Sequence, residues 1–328
     1  MDAGLKRELG EKVRSGERLT HEDGRALYAA DDLAWLGGLA HEVRTRHNGD
    51  RVHFAATRHL DTTVVAASRR AGELAGEGLT ELYLSSGPDP DPDLPWDERI
   101  RSLRELTAAL PDVSLHAFTA TGIQHAETLT GRPAAQLLDE LIDAGLASLT
   151  GGAGTLGWAD WSRIQRLAHA KGLKTPCTVL HGESEDPGHK VAQALRLREL
   201  QDETGGFQTV VPLPVPLSGA RTATPLETLK TFAVSRLLLD NVPHLKVRLP
   251  MYGVQTAQLT LQHGADDIDA APGACGSPAE PPLTREDLLD LIRDAGFRPA
   301  ERTARYTLVQ EYEGPDPARR EAPQPMRL

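Results

Sequence analysis

The chain has 328 residues, with 36 Lys and Arg against 47 Asp and Glu, and a formal net charge of −11. That length buries a sizeable core either as one large barrel or as two ordinary domains. The acidic balance argues against a nucleic-acid binder, which needs a basic surface to displace counterions, and leaves a small molecule or another protein as partner.

Residues 1–50 read as helical and amphipathic: Leu27, Leu33, Leu36, Leu39 and Val43 recur at helical intervals, and Thr20 with Asp23 has the form of an N-cap with an acidic first turn. A structural role, packed on the rest of the fold, is expected for this segment. From residue 52 short β-rich runs alternate with longer helical patterns. The predicted strands are 52–57, 79–86, 113–120, 146–152, 174–182, 207–215, 244–250 and a weak one at 264–269. Between them lie helical stretches such as ERIRSLRELTAALP, AAQLLDELIDAG and KVAQALRLRELQDETG. Helices carried between strands imply parallel pairing, so the fold class is α/β, a (β/α) barrel of six to eight parallel strands over 51–302. Residues 303–328 are expected to form a C-terminal extension, partly disordered, and PDPDPDLP and PGACGSPAEPP read as loops.

No apolar run approaches the ~20 residues of a membrane span. The start MDAGLKRELGEKVRSGERL lacks a signal-peptide core, so a cytoplasmic protein is expected. The two cysteines, Cys177 and Cys275, have no CxxC or Cys/His spacing around them.

On a parallel barrel the chemistry gathers at the carboxyl ends of the strands. For acid–base work the candidates delivered there are His59, His181, Glu185 and Asp266. For ligand binding they are Arg58, Ser86, Thr119, Gly151 and Gly152. Each has a plain structural alternative. Arg58–His59 can close a strand, SEDPGHK can start a solvated helix, the glycine run can be a turn, and Asp266-Asp267 can cap one. Cys177 inside a strand reads as a small core residue.

One stretch is more specific. GLKTPCTVLHGESEDPGHKVAQALRLRELQDETGGFQTVVPLPV, with RHLD at 58–61, HAFTATGI at 116–123, AGLASLTGGAG at 144–154, GADDID at 264–269 and LTREDLLDLIRDAGFRPAER at 283–302, resembles the aminofutalosine synthase-like radical SAM family of the futalosine route to menaquinone. The likeness covers roughly 20–302. It implies a radical-SAM-type barrel in which a CxxxCxxC loop after strand one holds a [4Fe–4S] cluster, and the free iron chelates S-adenosylmethionine (SAM). At the matching positions this chain has Ala66, Arg70 and Glu73. On that ground no [4Fe–4S] cofactor and no metal are expected, with SAM binding left open. The chain then reads as a degenerate, cluster-free member. Such a pseudoenzyme would bind a nucleoside, an aromatic carboxylate or a partner such as a cysteine-bearing homologue or pathway enzyme. Two alternatives stand beside this reading: cluster-independent acid–base chemistry in the same cavity, and the family's own radical SAM activity.

Overall fold

Capping chemistry sets the N-terminal helices. The structure, a computed structural model, describes residues 1–75, 79–84, 94–151, 156–182, 186–214, 223–269 and 283–316. Helix α1 (Ala3–Ser15) stops at Gly16, whose φ of 76° is left-handed. Helix α2 (His21–Tyr28) starts with a reciprocal box in which the Asp23 amide donates to Thr20 Oγ1 and the Thr20 amide donates to Asp23. Helix α3 (Leu33–Asn48) buries Leu36, Leu39, Ala40 and Val43 along one stripe and packs on α11 (Pro225–Leu238).

All eight predicted strands are present. The first breaks at Ala55 and Ala56 into β1 (Arg51–Phe54) and β2 (Thr57–Leu60). After β2 come β3 (Glu81–Leu84), β4 (Ser114–His116) and β5 (Leu146–Ser148), which with it form a four-stranded parallel sheet in that order. The next strands are β6 (Thr175–His181), β7 (Phe207–Pro214), β8 (His244–Arg248) and β9 (Asp267–Asp269). With β1 and two later strands, β10 (Arg298–Arg302) and β11 (Leu308–Glu311), they form a seven-stranded sheet ordered β11-β10-β1-β9-β8-β7-β6. The barrel therefore has two seams. At one, the first strand passes from sheet to sheet; at the other, Ser148 Oγ on β5 donates to Lys174 O beside β6 at 2.8 Å.

Two strands were not expected. Strand β10 (Arg298–Arg302) runs parallel to β1, and β11 (Leu308–Glu311) returns antiparallel to β10. The sequence RPAER carries no apolar alternation, because its buried Glu301 and Arg302 are held by charge partners instead. Within the extension assigned to 303–328, Leu308–Glu311 form β11 of the sheet, while 317–328 lie outside the described residues. Between β10 and β11, Tyr306 turns into the barrel with a φ of 58°, a conformation few non-glycine residues adopt. The first strand runs on past its predicted end at residue 57, so Arg58 and His59 lie within β2.

Helices α6 (Trp96–Ala109), α8 (Ala134–Asp143), α9 (Trp158–Ala170) and α10 (Pro187–Thr204) wrap the outside. His169 on α9 is clamped between Thr204 Oγ1 (2.8 Å) and Thr175 Oγ1 (2.9 Å), joining α10 to the start of β6. Gly206 leaves room for that ring, since a Cβ there would lie 2.0 Å from His169 Cγ. Gly206→Ala is expected to destabilise the fold by about 2 kcal/mol through overpacking, read as a lower urea midpoint at unchanged slope. An unchanged midpoint would show that His169 moves aside freely.

Candidate active site

Strand register builds the inner wall. His59, Tyr83 and His116 are direct partners across β2, β3 and β4. Their rings stack in a row, with centroids 4.6 Å apart for His59–Tyr83 and 4.1 Å for Tyr83–His116. Alternation places Glu81, two residues before Tyr83, on the same inward face. Arg302 from β10 bonds to Glu81 and takes Asp267 of β9 through two nitrogens, Nη2 at 2.7 Å and Nε at 3.2 Å. Lys246 of β8 lies 3.6 Å from Asp267 and donates to the Tyr83 hydroxyl at 3.4 Å. The Tyr83 hydroxyl in turn donates to Glu81 at 3.0 Å, and the Tyr306 hydroxyl donates to Asp267.

Three carboxylates, Glu81, Asp267 and Asp269, thus meet three cations, Arg302, Lys246 and Arg248. Burial works to raise the pKa of Glu81, but Arg302 and Lys246 outweigh it and hold the group at about 2. The same contest at Asp269 ends below the ordinary carboxylate range, with His59 as its strongest stabiliser. His59 Nε2 donates to Asp269 Oδ2 at 2.6 Å. Burial, helped by the nearby Lys246 and Arg302 and opposed by Glu81, pushes His116 down to about 4, so its ring is neutral at physiological pH.

These groups face a cavity whose open space, mouth included, comes to about 740 Å³. Several polar atoms in its wall have no hydrogen-bond partner: both ring nitrogens of His116, Thr178 Oγ1, Arg248 Nε and Asp269 Oδ1. Unsatisfied buried groups are rare and costly in folded proteins; others, such as Ser235 Oγ and His181 Nδ1, lie elsewhere, but the five that line this one space make it the candidate ligand site.

Of the sequence candidates, the structure brings His59 and Gly151 to this cavity. Asp266 lies instead at the amino ends of β8 and β9. There its carboxylate receives Arg236, the Leu245 amide (2.7 Å) and His244 Nδ1 (2.6 Å), with His53 Nδ1 at 3.6 Å. The ligand-type atoms of His53, His244 and Asp266 lie within 4.8 Å of one another, but Arg236 already neutralises the carboxylate. Asp266 is therefore an ion-pair anchor, which corrects its placing among the catalytic candidates. His181 is also corrected: it is buried against Tyr252, whose hydroxyl lies 2.8 Å from Nε2, and it does not line the cavity.

Thr119 caps α7 (Ala120–Thr130) by accepting from the Gly122 amide. Arg58 points to the opposite face of β2 from His59. Glu185, Ser86, Gly152 and Cys275 lie outside the described residues. Ala66 sits on the short helix α4 (Val64–Ser68), and Arg70 pairs with Glu73 at 3.0 Å on the surface.

The residues missed were Glu81, Tyr83, His116, Lys246, Arg248, Asp269 and Arg302. A period-2 signal was available for most of them. In ELYL, HLKVR and DID the polar residues alternate with buried Leu82, Leu84, Leu245, Val247 and Ile268, as an inward polar face and an outward apolar one require.

Comparison with known proteins fits this architecture. A family profile described as "CofH/MqnC C-terminal region" matches residues 217–314. The aminodeoxyfutalosine synthase of Streptomyces coelicolor is 57% identical over 391 aligned positions, covering all of both chains. At least 63 of those positions have no residue in this 328-residue chain. The aminodeoxyfutalosine synthase of Thermus thermophilus is 31% identical, covering 93% of this chain and 96% of its own. Among solved structures, methylornithine synthase (PylB) shares the fold with a TM-score of 0.67 at 17% identity, over 89% of this chain and 97% of its own. The hydrogenase maturase HydG does so with a TM-score of 0.68 at 15% identity, over 93% and 77%.

The expectation of no [4Fe–4S] cofactor is overturned by this likeness. Full-length identity of 57% to an aminodeoxyfutalosine synthase, on the fold of PylB and HydG, points to the cluster and SAM use that the resemblance implies for such proteins. The side chains at the matching positions do not themselves fit the cluster. Ala66, Arg70 and Glu73 offer no thiolate, and Cys177 is buried in β6 with its thiol pKa pushed up by that burial. The matches carry the family and pathway part of the sequence reading and give the pseudoenzyme part no support.

Glu81→Gln is expected to cost about 3 kcal/mol by leaving buried Arg302 under-compensated. Glu81→Leu combined with Arg302→Met should recover part of that loss in a double-mutant cycle by chemical denaturation, and strict additivity would refute the coupling. Acid should weaken the fold in a defined window. Burial lowers His116, His169 and His181 to about 4 from an ordinary 6.5. Between those values the unfolded chain binds protons that the folded chain refuses, so stability falls as pH drops from 6.5 to 4. His181→Gln should make that slope shallower in denaturation midpoints taken across the window.

Proposed function

Because this chain belongs to the aminodeoxyfutalosine synthase family, we propose that its barrel cavity takes up a carboxylated aromatic or nucleoside-like molecule of the futalosine route to menaquinone, with Arg248 receiving the carboxylate. The carrying observation is the mouth formed by the carboxyl ends of β8 and β9. Arg248 keeps a quarter of its side chain exposed there, and its Nε makes no hydrogen bond although Asp269 lies 3.6 Å away. A ligand carboxylate satisfies that donor without breaking the deeper pairs, since Arg302 is already shared by Glu81 and Asp267.

The His59–Asp269 bond favours a second reading, acid–base chemistry on the bound molecule. A carboxylate-oriented imidazole at a strand end is the arrangement a general base needs. In that reading Asp269 fixes the ring, and His59 moves a proton to or from the ligand. A cysteine-bearing homologue as protein partner is a separate proposal, tested by co-purification.

Thermal-shift titration with 3-hydroxybenzoate, benzoate, adenosine and SAM tests the first reading, because a ligand bound by the folded state alone raises the midpoint. Carboxylated probes should stabilise the protein, and Arg248→Ala should weaken them roughly 10–100-fold, the worth of a charge-assisted bond. Absence of any shift, or an Arg248→Ala protein with full affinity, would sink the proposal. For the second reading, His59→Gln should retain binding and lose proton exchange on the ligand.

A further inference from the structure

We propose that His116, with the Thr178 hydroxyl, forms a subsite that reads the polar edge of a flat ring, either the heterocycle of a nucleoside or a hydroxylated benzene ring. The inference rests on the cavity being a ligand site and adds what its inner wall selects.

His116 is the end of the ring row, and its burial makes its state unusual. Its side chain is 6% exposed, it lines the cavity, and neither ring nitrogen has a partner. A neutral imidazole presents one donor and one acceptor, so two hydrogen bonds are missing in one place. Tyr83 covers one face of the ring at 4.1 Å, and among the described residues no second ring stacks on it.

Its register partner on the other side is Ser148 of β5, a small residue. That hydroxyl is turned away, its one proton lying within reach of Lys174 O (2.8 Å) and Leu149 O (2.9 Å), and it makes no bond to His116. Next along the wall Gly151 adds no side chain. A Cβ there would come within 3.0 Å of Thr178 Oγ1 and 3.3 Å of Pro176 Cγ, crowding the place that stays open. Thr178 Oγ1 is the remaining unpartnered atom on this side. Small residues at 148 and 151, an aromatic face, a proline and three unsatisfied polar atoms make a slot for a planar group with hydrogen-bonding substituents. Because the ring is neutral down to a pH of about 4, the recognition is by hydrogen bonding and not by charge.

The test compares 3-hydroxybenzoate, unsubstituted benzoate and adenosine on the wild type and on three variants, with the unliganded midpoint as a folding control. The wild type should bind the hydroxylated or heterocyclic probe roughly tenfold more tightly than benzoate. His116→Phe keeps a flat ring and loses both nitrogens, so it should remove that preference while benzoate affinity stays. Thr178→Val keeps the shape without the hydroxyl and should remove part of it, which covers the case of a poorly folded His116→Phe protein. His116→Gln restores a donor and an acceptor and should recover part of the preference. A preference for adenosine identifies the heterocycle as the source of the ring, and one for 3-hydroxybenzoate identifies the benzene. A preference untouched in His116→Phe and Thr178→Val overturns the subsite and leaves the carboxylate reading standing. A wild type that binds all probes equally also overturns the subsite, and one that binds none overturns both.

Discussion

Arg302 is the interaction on which the barrel depends. It comes from β10 and is about 1% exposed, and it holds Glu81 on β3 and Asp267 on β9 at once. Those two carboxylates belong to different sheets, which are also linked by the broken first strand, by His59–Asp269 and Lys246–Tyr83, and by Ser148 at the opposite seam. A buried charge of this kind is costly, since taking each ion from water costs several kcal/mol that only good geometry returns. Here the geometry includes a two-nitrogen grip on Asp267, a carboxylate on the other side, and the Tyr306 ring 4.1 Å beneath the guanidinium. Apolar side chains of similar volume often hold buried elements together as well as ion pairs do, so stability alone does not account for the network. What it adds is a fixed position for Tyr83, Lys246 and Tyr306, whose hydroxyls and ammonium all bond to its members.

The outward half of the barrel was legible in the sequence and the inward half was not, for a physical reason. Strand positions follow from apolar runs, and in a parallel barrel the outward side chains, such as Leu82, Val247 and Ile268, pack against helices. All eight predicted strands therefore fall where the sequence places them. The inward positions are judged by what lies opposite them across the barrel, and Glu81 and Arg302 are separated by 221 residues. Nothing local to ELYL or RPAER states that the two are paired. Strand β10 was lost to the same cause, because charge and not apolarity buries it.

Site residues chosen at strand ends met a mixed result. His59 and Gly151 reach the cavity, but Asp266 and His181 do not, although each sits at an end of a strand. Asp266 precedes β9, at the amino end, the face that serves stability in such barrels, and the mouth is on the other side. The two residues later in that same strand, Asp267 and Asp269, divide the work between the network and the mouth. A single strand of three residues thus carries an anchor before it, a network member at its start and a mouth residue at its end.

The short helical segment that carries Ala66, Arg70 and Glu73 and the cavity that carries His59 are separate in chemistry. Arg70 and Glu73 satisfy each other on the surface at 3.0 Å, an exposed pair of the kind that contributes little to stability. The cavity wall is different: its deep members are paired to completion, whereas the unsatisfied atoms of His116, Thr178, Arg248 and Asp269 belong to four different strands. Unpartnered buried atoms occur elsewhere too, Ser235 Oγ and His181 Nδ1 among them, so their presence alone does not single out the cavity. What sets this wall apart is that five of them, from four strands, line one space beside a network of balanced charge. The buried pairs fix the frame, and in the proposed reading the unfilled hydrogen bonds of the wall select what enters it.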